Sequence, residues 1–358
     1  NKINQRISNV LKHGKYIMGP EVFELEKKLA AYVDTKYCIS CSSGTDALLM
    51  SLMAKKVGSG DAIITSPFTY IATAEAIQLT GATPVFVDIE SNTYNINFAL
   101  LEDAIKNAIK KNLSPKGIIP IDLFGLPANY NKIENIAKKY NLFILEDAAQ
   151  SFGSEINGKN SCSFGSIAAT SFFPAKPLGC YGDGGAIFTN DDDLADKLIS
   201  IRVHGSGVDK YDNIRLGLNG RLDTLQAAVL LEKLEILDEE IIKRNNIAKY
   251  YSNRLSDNYK TPFIPEGYVS AWAQYSIILD DRLDRTSLIN YLSRHDIPSM
   301  IYYKIPLHLQ KVFSGLGYDK GDFPISESCS KSILSIPMHP YLENHEQNKI
   351  IEVLNSYE

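Results

Sequence analysis

Asn141-Leu-Phe-Ile-Leu-Glu-Asp147, continued by Ala148-Ala-Gln150, is an unbroken apolar run that ends in two carboxylates. A run of this length and composition reads as a short buried strand. In open α/β sheets, ligands gather beyond the carboxyl ends of parallel strands, so Asp147 stands where a functional carboxylate is expected. A strand-end cap is the structural alternative. Between about residues 37 and 190, short apolar runs at 62–65, 84–87, 117–121, 142–144, 168–172 and 186–188 alternate with amphipathic stretches. Residues 98–112 and 131–140 have helical periodicity between them. This alternation predicts a mostly parallel sheet with helices on both faces. A helix-rich stretch at 221–255 then leads into a smaller α+β region with a strand-like run at 272–278 and a helix at 285–295. Two domains are expected, 1–245 and 246–358, with the division falling inside helical sequence.

Two further segments carry chemistry. In Tyr37-Cys-Ile-Ser-Cys-Ser-Ser-Gly-Thr-Asp-Ala-Leu-Leu-Met50 a turn of small residues opens an amphipathic helix. Its free N–H groups and positive dipole end suit a phosphate, although Ser, Gly and Thr also cap helices for structural reasons alone. In Ser171-Phe-Phe-Pro-Ala-Lys-Pro-Leu-Gly-Cys-Tyr-Gly-Asp-Gly-Gly185 one lysine lies between two prolines. Pro177 pushes Lys176 toward extended geometry. The apolar neighbours favour a desolvated amine of lowered pKa, which Schiff-base chemistry needs; an ordinary turn lysine is the alternative. A phosphate cradle, a strand-end carboxylate and a desolvated lysine together describe the three handles of pyridoxal phosphate.

Gly44-Thr-Asp-Ala-Leu48, Glu146-Asp-Ala-Ala-Gln150, Phe173-Pro-Ala-Lys-Pro-Leu-Gly179, Gly182-Asp-Gly-Gly185 and Arg221-Leu-Asp-Thr-Leu-Gln-Ala-Ala228 resemble the sugar aminotransferases of the DegT/DnrJ/EryC1/StrS family. The likeness runs in the same order from about Gly19 to Tyr341. It implies fold type I of the pyridoxal-phosphate enzymes, with a mostly parallel seven-stranded sheet and a smaller C-terminal α+β domain. It also implies transfer of an amino group from L-glutamate to a keto carbon of a nucleotide-linked sugar, in a homodimer with its active sites at the subunit interface. By motif position, Lys176 would bind the cofactor aldehyde and shuttle the proton, and Asp147 would pair with the pyridine N–H. Gln150 would lie near the phenolic oxygen, and Tyr70 would stack on the ring. Gly44, Thr45 and Ser171 would hold the phosphate, completed by Asn219 from the other subunit. Arg221 is a candidate for a substrate or donor carboxylate, with a structural salt bridge as its alternative. Tyr70 could equally be a core aromatic in a chain with 20 tyrosines. Asp46 would repel a phosphate, so it is read as a first-turn helix stabiliser pointing away from the ligand.

The net charge of −5 gives no electrostatic reason to expect nucleic acid or an anionic membrane as partner. No apolar run approaches a membrane span, and no secretory signal is read. A chain opening on Asn1 without methionine is expected to lack a few leading residues. Five cysteines form no framework; Cys38 and Cys41 lie along a strand and face opposite sides, so they make neither a metal site nor a redox pair. Reduced thiols and a cytoplasmic setting are expected. The six histidines lack ligand spacing, and no metal is expected.

The Phe-Phe-Pro-Ala-Lys-Pro approach to Lys176 is similar to members of the family that aminate C3 of the sugar. Residues 40–47, 177–182, 273–275 and 337–341 most resemble those acting on UDP-2-acetamido-2-deoxy-3-keto-glucuronate in bacterial O-antigen and related polysaccharide synthesis. Enzymes for dTDP-3-keto-6-deoxyhexoses are the runner-up, followed by 4-aminotransferases of UDP-4-keto sugars and, remotely, a non-enzymatic regulator. One departure stands out. Tyr302-Tyr303-Lys304 replaces the family's usual His-Tyr-Pro in a loop that faces the sugar. Tyr302 and Tyr303 are substrate-site candidates; Lys304 either attracts a uronate or diphosphate or is simply solvated.

Overall fold

The computed structural model describes residues 2–209 and 211–357. Five strands come first: β1 (Tyr37–Cys41), β2 (Asp61–Thr65), β3 (Thr83–Phe86), β4 (Ser114–Ile118) and β5 (Phe143–Asp147). A small hairpin of β6 (Glu155–Ile156) and β7 (Lys159–Asn160) precedes β8 (Ile167–Ser171) and β9 (Gly185–Thr189). Seven of these form one sheet in the order β1-β9-β8-β5-β4-β2-β3. Within it β9 is antiparallel to both neighbours and the remaining pairs are parallel. The carboxyl ends of β1, β2, β5 and β8 therefore open toward one edge, where the motifs read from the sequence lie.

Helices α1 (Lys2–His13), α2 (Pro20–Val33), α3 (Gly44–Ala54), α4 (Ala72–Leu79), α5 (Leu101–Lys110), α6 (Tyr130–Tyr140), α7 (Asp192–Arg202), α8 (Thr224–Leu234) and α9 (Leu237–Ser252) cover both faces. Strand alternation sorts the side chains between the layers. On β1, Cys38 packs with α2 and α8 residues such as Leu25 and Leu230, whereas Ile39 and Cys41 pack with Met50 of α3 and Leu198 of α7. The two cysteines of the C-x-x-C do face opposite sides. All five cysteines are buried and free.

Element ends differ by a few residues from the sequence reading, for local reasons. Strand β5 starts at Phe143 because Asn141 caps α6 in the left-handed conformation and Leu142 N–H still bonds Ala137 of that helix at 2.9 Å. Residues 98–100 form a 3₁₀ turn ahead of α5, and Asn112, with φ of 60°, turns the chain out of that helix.

The C-terminal part contains β10 (Tyr259–Lys260), β11 (Tyr268–Val269), β12 (Tyr275–Leu279) and β13 (Ile333–Ile336), with α10 (Arg285–Arg294), α11 (Pro324–Ser332) and α12 (Asn344–Asn355). An antiparallel sheet β10-β12-β13 backs a core built on Tyr251, Tyr275, Leu288 and Leu354. Helix α9 crosses residue 245 unbroken. Its Leu237 and Ile241 pack in the large sheet's core, and its Ile247 and Tyr251 pack in the C-terminal core. Arg244, buried between them, donates to the Trp272 carbonyl at 2.9 Å. Among the described residues no helix is long and apolar enough to cross a membrane.

Candidate active site

A cavity of about 430 Å³ opens at the carboxyl edge of the large sheet, within the range of small-molecule sites. Its back wall is the start of α3. Ser43 caps that helix, its hydroxyl accepting from the Asp46 N–H at 3.0 Å. The Asp46 carboxylate turns back onto the hydroxyls of Ser42 (2.5 Å) and Ser43 (3.0 Å) and does not line the cavity, as expected of a first-turn stabiliser. Gly44 and Thr45 line the cavity and open the helix, where backbone N–H groups have no intrahelical acceptor. Glycine is required at 44, because a Cβ there would lie 2.7 Å from Cβ of Ser171. Helix terminus and strand end thus touch, and Ser171 joins the two amides at one corner.

Asp147 ends β5 and is buried. Thr73, in the first turn of α4, donates to Oδ2 at 2.7 Å, and the Ala149 N–H donates to Oδ1 at 3.3 Å. Burial raises its proton affinity above the usual carboxylate range; these two bonds and the Lys176 charge pull it partway back. Lys176 rides on the loop between β8 and β9. The loop is folded onto itself by Lys176 N–H to the Phe173 carbonyl (2.9 Å) and Cys180 N–H to the Phe172 carbonyl (2.8 Å). Part of the side chain reaches the surface, but the amine is withdrawn from water. Desolvation lowers its pKa and Asp147 opposes that shift. Both groups line the same cavity, and each feels the other's charge.

Gln150 is held at both ends, its Oε1 accepting from the Phe124 N–H (2.6 Å) and its amide donating to the Tyr303 hydroxyl (3.2 Å). Tyr303 packs edge-on against Phe68, with ring centroids 6.1 Å apart, and with Tyr302 lines the cavity. Tyr70 stands at the mouth with 62% of its surface exposed, so in this chain it is not a core aromatic. Lys304 is exposed and does not line the cavity.

Asn219 and Arg221 are placed elsewhere. Neither lines the cavity of its own chain; Arg221 instead forks onto the Asn219 Oδ1 through Nε at 3.0 Å and Nη2. Thr73 and Gln274 are among the lining residues that the sequence reading does not single out. A threonine in a helix's first turn, such as Thr73, has no local signature. Gln274 had one: it alternates with Tyr275, whose burial in the C-terminal core turns Gln274 toward the cavity. Among the described residues no three His, Cys, Asp or Glu side chains converge as a metal site requires.

The model of the DegT/DnrJ/EryC1/StrS aminotransferase family matches residues 1–355. The chain belongs to this family. As a member of the DegT/DnrJ/EryC1/StrS aminotransferases, it is 48% identical to the UDP-2-acetamido-2-deoxy-3-oxo-D-glucuronate aminotransferase of Pseudomonas aeruginosa, over 96% of this chain and 92% of that protein. A DegT DnrJ EryC1 StrS aminotransferase from Brucella abortus superposes with a TM-score of 0.95 at 52% identity, covering 99% of this chain and 94% of the other. NtdA from Bacillus subtilis, solved with bound cofactor PMP, superposes with a TM-score of 0.90 at 30% identity, over 99% and 80% of the two chains. The Lys176–Asp147 cavity therefore lies in an aminotransferase fold.

Proposed function

We propose that this aminotransferase moves the amino group of L-glutamate to the C3 keto carbon of a nucleotide-linked sugar, with UDP-2-acetamido-2-deoxy-3-oxo-glucuronate as the acceptor. The observation that carries the reading is one cavity holding a desolvated lysine, a buried carboxylate and the open N-terminus of α3. Pyridoxal phosphate is the cofactor these groups fit. The contact between Gly44 and Ser171 leaves a corner with two free amides and a hydroxyl for a phosphate, and only glycine lets that corner form. When bound, the cofactor supplies an aldehyde that condenses with amines and a ring that takes up the electrons left on carbon when a proton departs.

The chain's own residues do the rest. Gly44, Thr45 and Ser171 hold the phosphate, and Asn219 of a second copy completes that site in a homodimer. Asp147 would accept the ring N–H, its carboxylate oriented by Thr73 on Oδ2 and the Ala149 N–H on Oδ1. Tyr70 covers the ring from the cavity mouth, and Gln150 holds the phenolic edge. Lys176 would hold the cofactor's aldehyde carbon, and its free Nζ would take a proton from the glutamate carbon and deliver one to C3 of the sugar. The lowered pKa suits this, because the neutral amine is the competent base. Tyr302 and Tyr303 from the cavity's own chain, and Arg221 from the second copy, serve in this reading as sugar and carboxylate contacts. Exposed apolar residues Val208, Ile214 and Leu216, in the excursion before Asn219, favour coverage by that copy. The product would feed bacterial surface polysaccharide synthesis from the cytosol.

The identity of the Pseudomonas relative supports the acceptor, and a substrate panel tests it. Purified protein with glutamate is expected to release 2-oxoglutarate in a first half-reaction, then aminate UDP-3-keto-uronate in preference to dTDP-3-keto-6-deoxyhexose and UDP-4-keto sugars. Turnover of the 4-keto compound alone would refute the C3 assignment.

A further inference from the structure

Beside Asp147, but outside the cavity, two more carboxyl groups meet in the interior. Glu146 precedes Asp147 on β5 and is fully buried; it accepts the N–H groups of Cys162 (2.5 Å) and Phe164 (2.8 Å). Asp122, just beyond β4, is equally buried. Its Oδ1 accepts from the Ala128 N–H (2.9 Å) and the Tyr130 hydroxyl (2.8 Å), and its Oδ2 accepts from the Ser151 hydroxyl (2.8 Å). Ser151, bonded to Asp122, also bonds the Ser161 hydroxyl at 3.1 Å, and the next residue, Cys162, is the one that donates its N–H to Glu146, so the two carboxyl groups lie side by side in the interior. The titratable groups around them are Tyr130 from α6, Cys162 from the segment after β7, Asp147 at the end of β5 and Tyr268 of β11. All are acids. Among the described residues no Lys, Arg or His forms an ion pair with either carboxyl.

Two neighbouring, fully buried carboxyl groups without a cation beside them cannot both be ionised. We propose that Asp122 and Glu146 share a proton and act as a positioning pair that fixes Asp147 and Gln150 behind the cofactor cavity. The inference rests on the reading of those two residues as cofactor ligands. The link runs through the main chain. Asp122 N–H donates to the Asp147 carbonyl at 3.1 Å, Ser151 ties the residue after Gln150 to Asp122, and the turn that Asp122 starts supplies the Phe124 N–H to Gln150. Burial raises the proton affinity of both acids, and that of Glu146 is raised further by the charge of Asp122. At most one negative charge then stands beside Asp147, so that carboxylate is not driven to protonate by its neighbours.

The sign of the pH dependence follows. Both folded-state pKa values lie above the unfolded ones. The stability this pair contributes is therefore complete below the unfolded carboxylate range and is lost as pH rises through the folded values. Asp122→Asn removes the need for the proton. Its amide nitrogen donates to an ionised Glu146 and to Ser151, while its carbonyl keeps Ala128 and Tyr130.

The test follows thermal unfolding of the loaded wild-type and Asp122→Asn proteins between about pH 5 and pH 9. The Tm of the variant is expected to gain about 2–4 °C on wild type across that range. Wild type should also show an infrared band of a protonated buried carboxyl that the variant lacks. Parallel Tm curves together with no such band would overturn the shared proton. For positioning, Asp122→Ala should change the pH titration of the Lys176–cofactor chromophore while Asp122→Asn preserves it; an unchanged titration in folded Asp122→Ala would overturn that role. Failure of the cofactor reading itself would show separately, as an Asp147→Asn protein whose chromophore titrates like wild type.

Discussion

Lys176→Ala is expected to lower kcat for transamination about 10³–10⁴-fold while leaving the protein folded. Among the described residues Lys176 is the one Lys, Arg or His side chain that lines the cavity. The folded backbone of the loop between β8 and β9, pinned by Lys176 N–H on Phe173 and Cys180 N–H on Phe172, does not depend on the amine. Folding lowers the pKa of that amine, so the charged form is less stable in the native state than in the unfolded chain. Removing it should therefore hold or raise Tm near neutral pH. Two measurements check this: stopped-flow absorbance of the glutamate half-reaction in the cofactor-loaded variant, and borohydride reduction, which should label wild type at Lys176 and leave the variant unlabelled. A variant within tenfold of wild type would remove Lys176 from the chemistry.

Asp147→Asn is expected to be nearly as damaging, with kcat down about 10²–10³-fold and the glutamate KM changed far less. Breaking a buried charge pair costs about 3–5 kcal/mol, and each 1.36 kcal/mol is tenfold in rate. The amide can still accept from Thr73 or Ala149, so the geometry survives while the charge opposite the ring nitrogen is lost. Because that charge matters most when the ring has taken up electrons, the loss belongs to kcat rather than to ground-state binding. Stability should move the other way. Burial raises the Asp147 pKa, so its ionised form costs folding free energy above the unfolded carboxylate pKa, and the amide avoids that cost. A variant less active but more heat-resistant at neutral pH would separate function from fold at this residue. Steady-state kinetics and thermal melts on the same preparation decide it.

The parts of this site that could be read in the sequence are those marked by local punctuation. The apolar run ending at Asp147, the Ser-Ser-Gly-Thr turn into α3 and the proline-flanked Lys176 each carry their geometry within about a dozen residues. Contacts made over long separations left no such mark. The Gln150 amide reaches Tyr303 across 153 positions, and Thr73 reaches Asp147 across 74. Nothing in either segment announces its partner. The same holds for Asp122, which reads as the end of one more apolar run until Tyr130, Ser151 and Glu146 close around it. Strand ends were blurred where helix caps intrude, as Asn141 does on β5. Asn219 and Arg221 mark another limit: both lie away from the cavity of their own chain, bonded to each other.

The distribution of the cysteines has a practical consequence. Cys38, Cys162 and Cys180 are packed on one side of the large sheet, Cys41 on the other, and Cys329 in the cluster against which Ile301, Tyr302 and Tyr303 pack. Burial pushes these thiols well out of their reactive range, Cys41 to about 12 and Cys329 to about 11. A maleimide probe added to the native enzyme would meet no ready nucleophile. The rate at which each position becomes labelled would instead time the opening of its own layer, making the chain a built-in recorder of where unfolding begins.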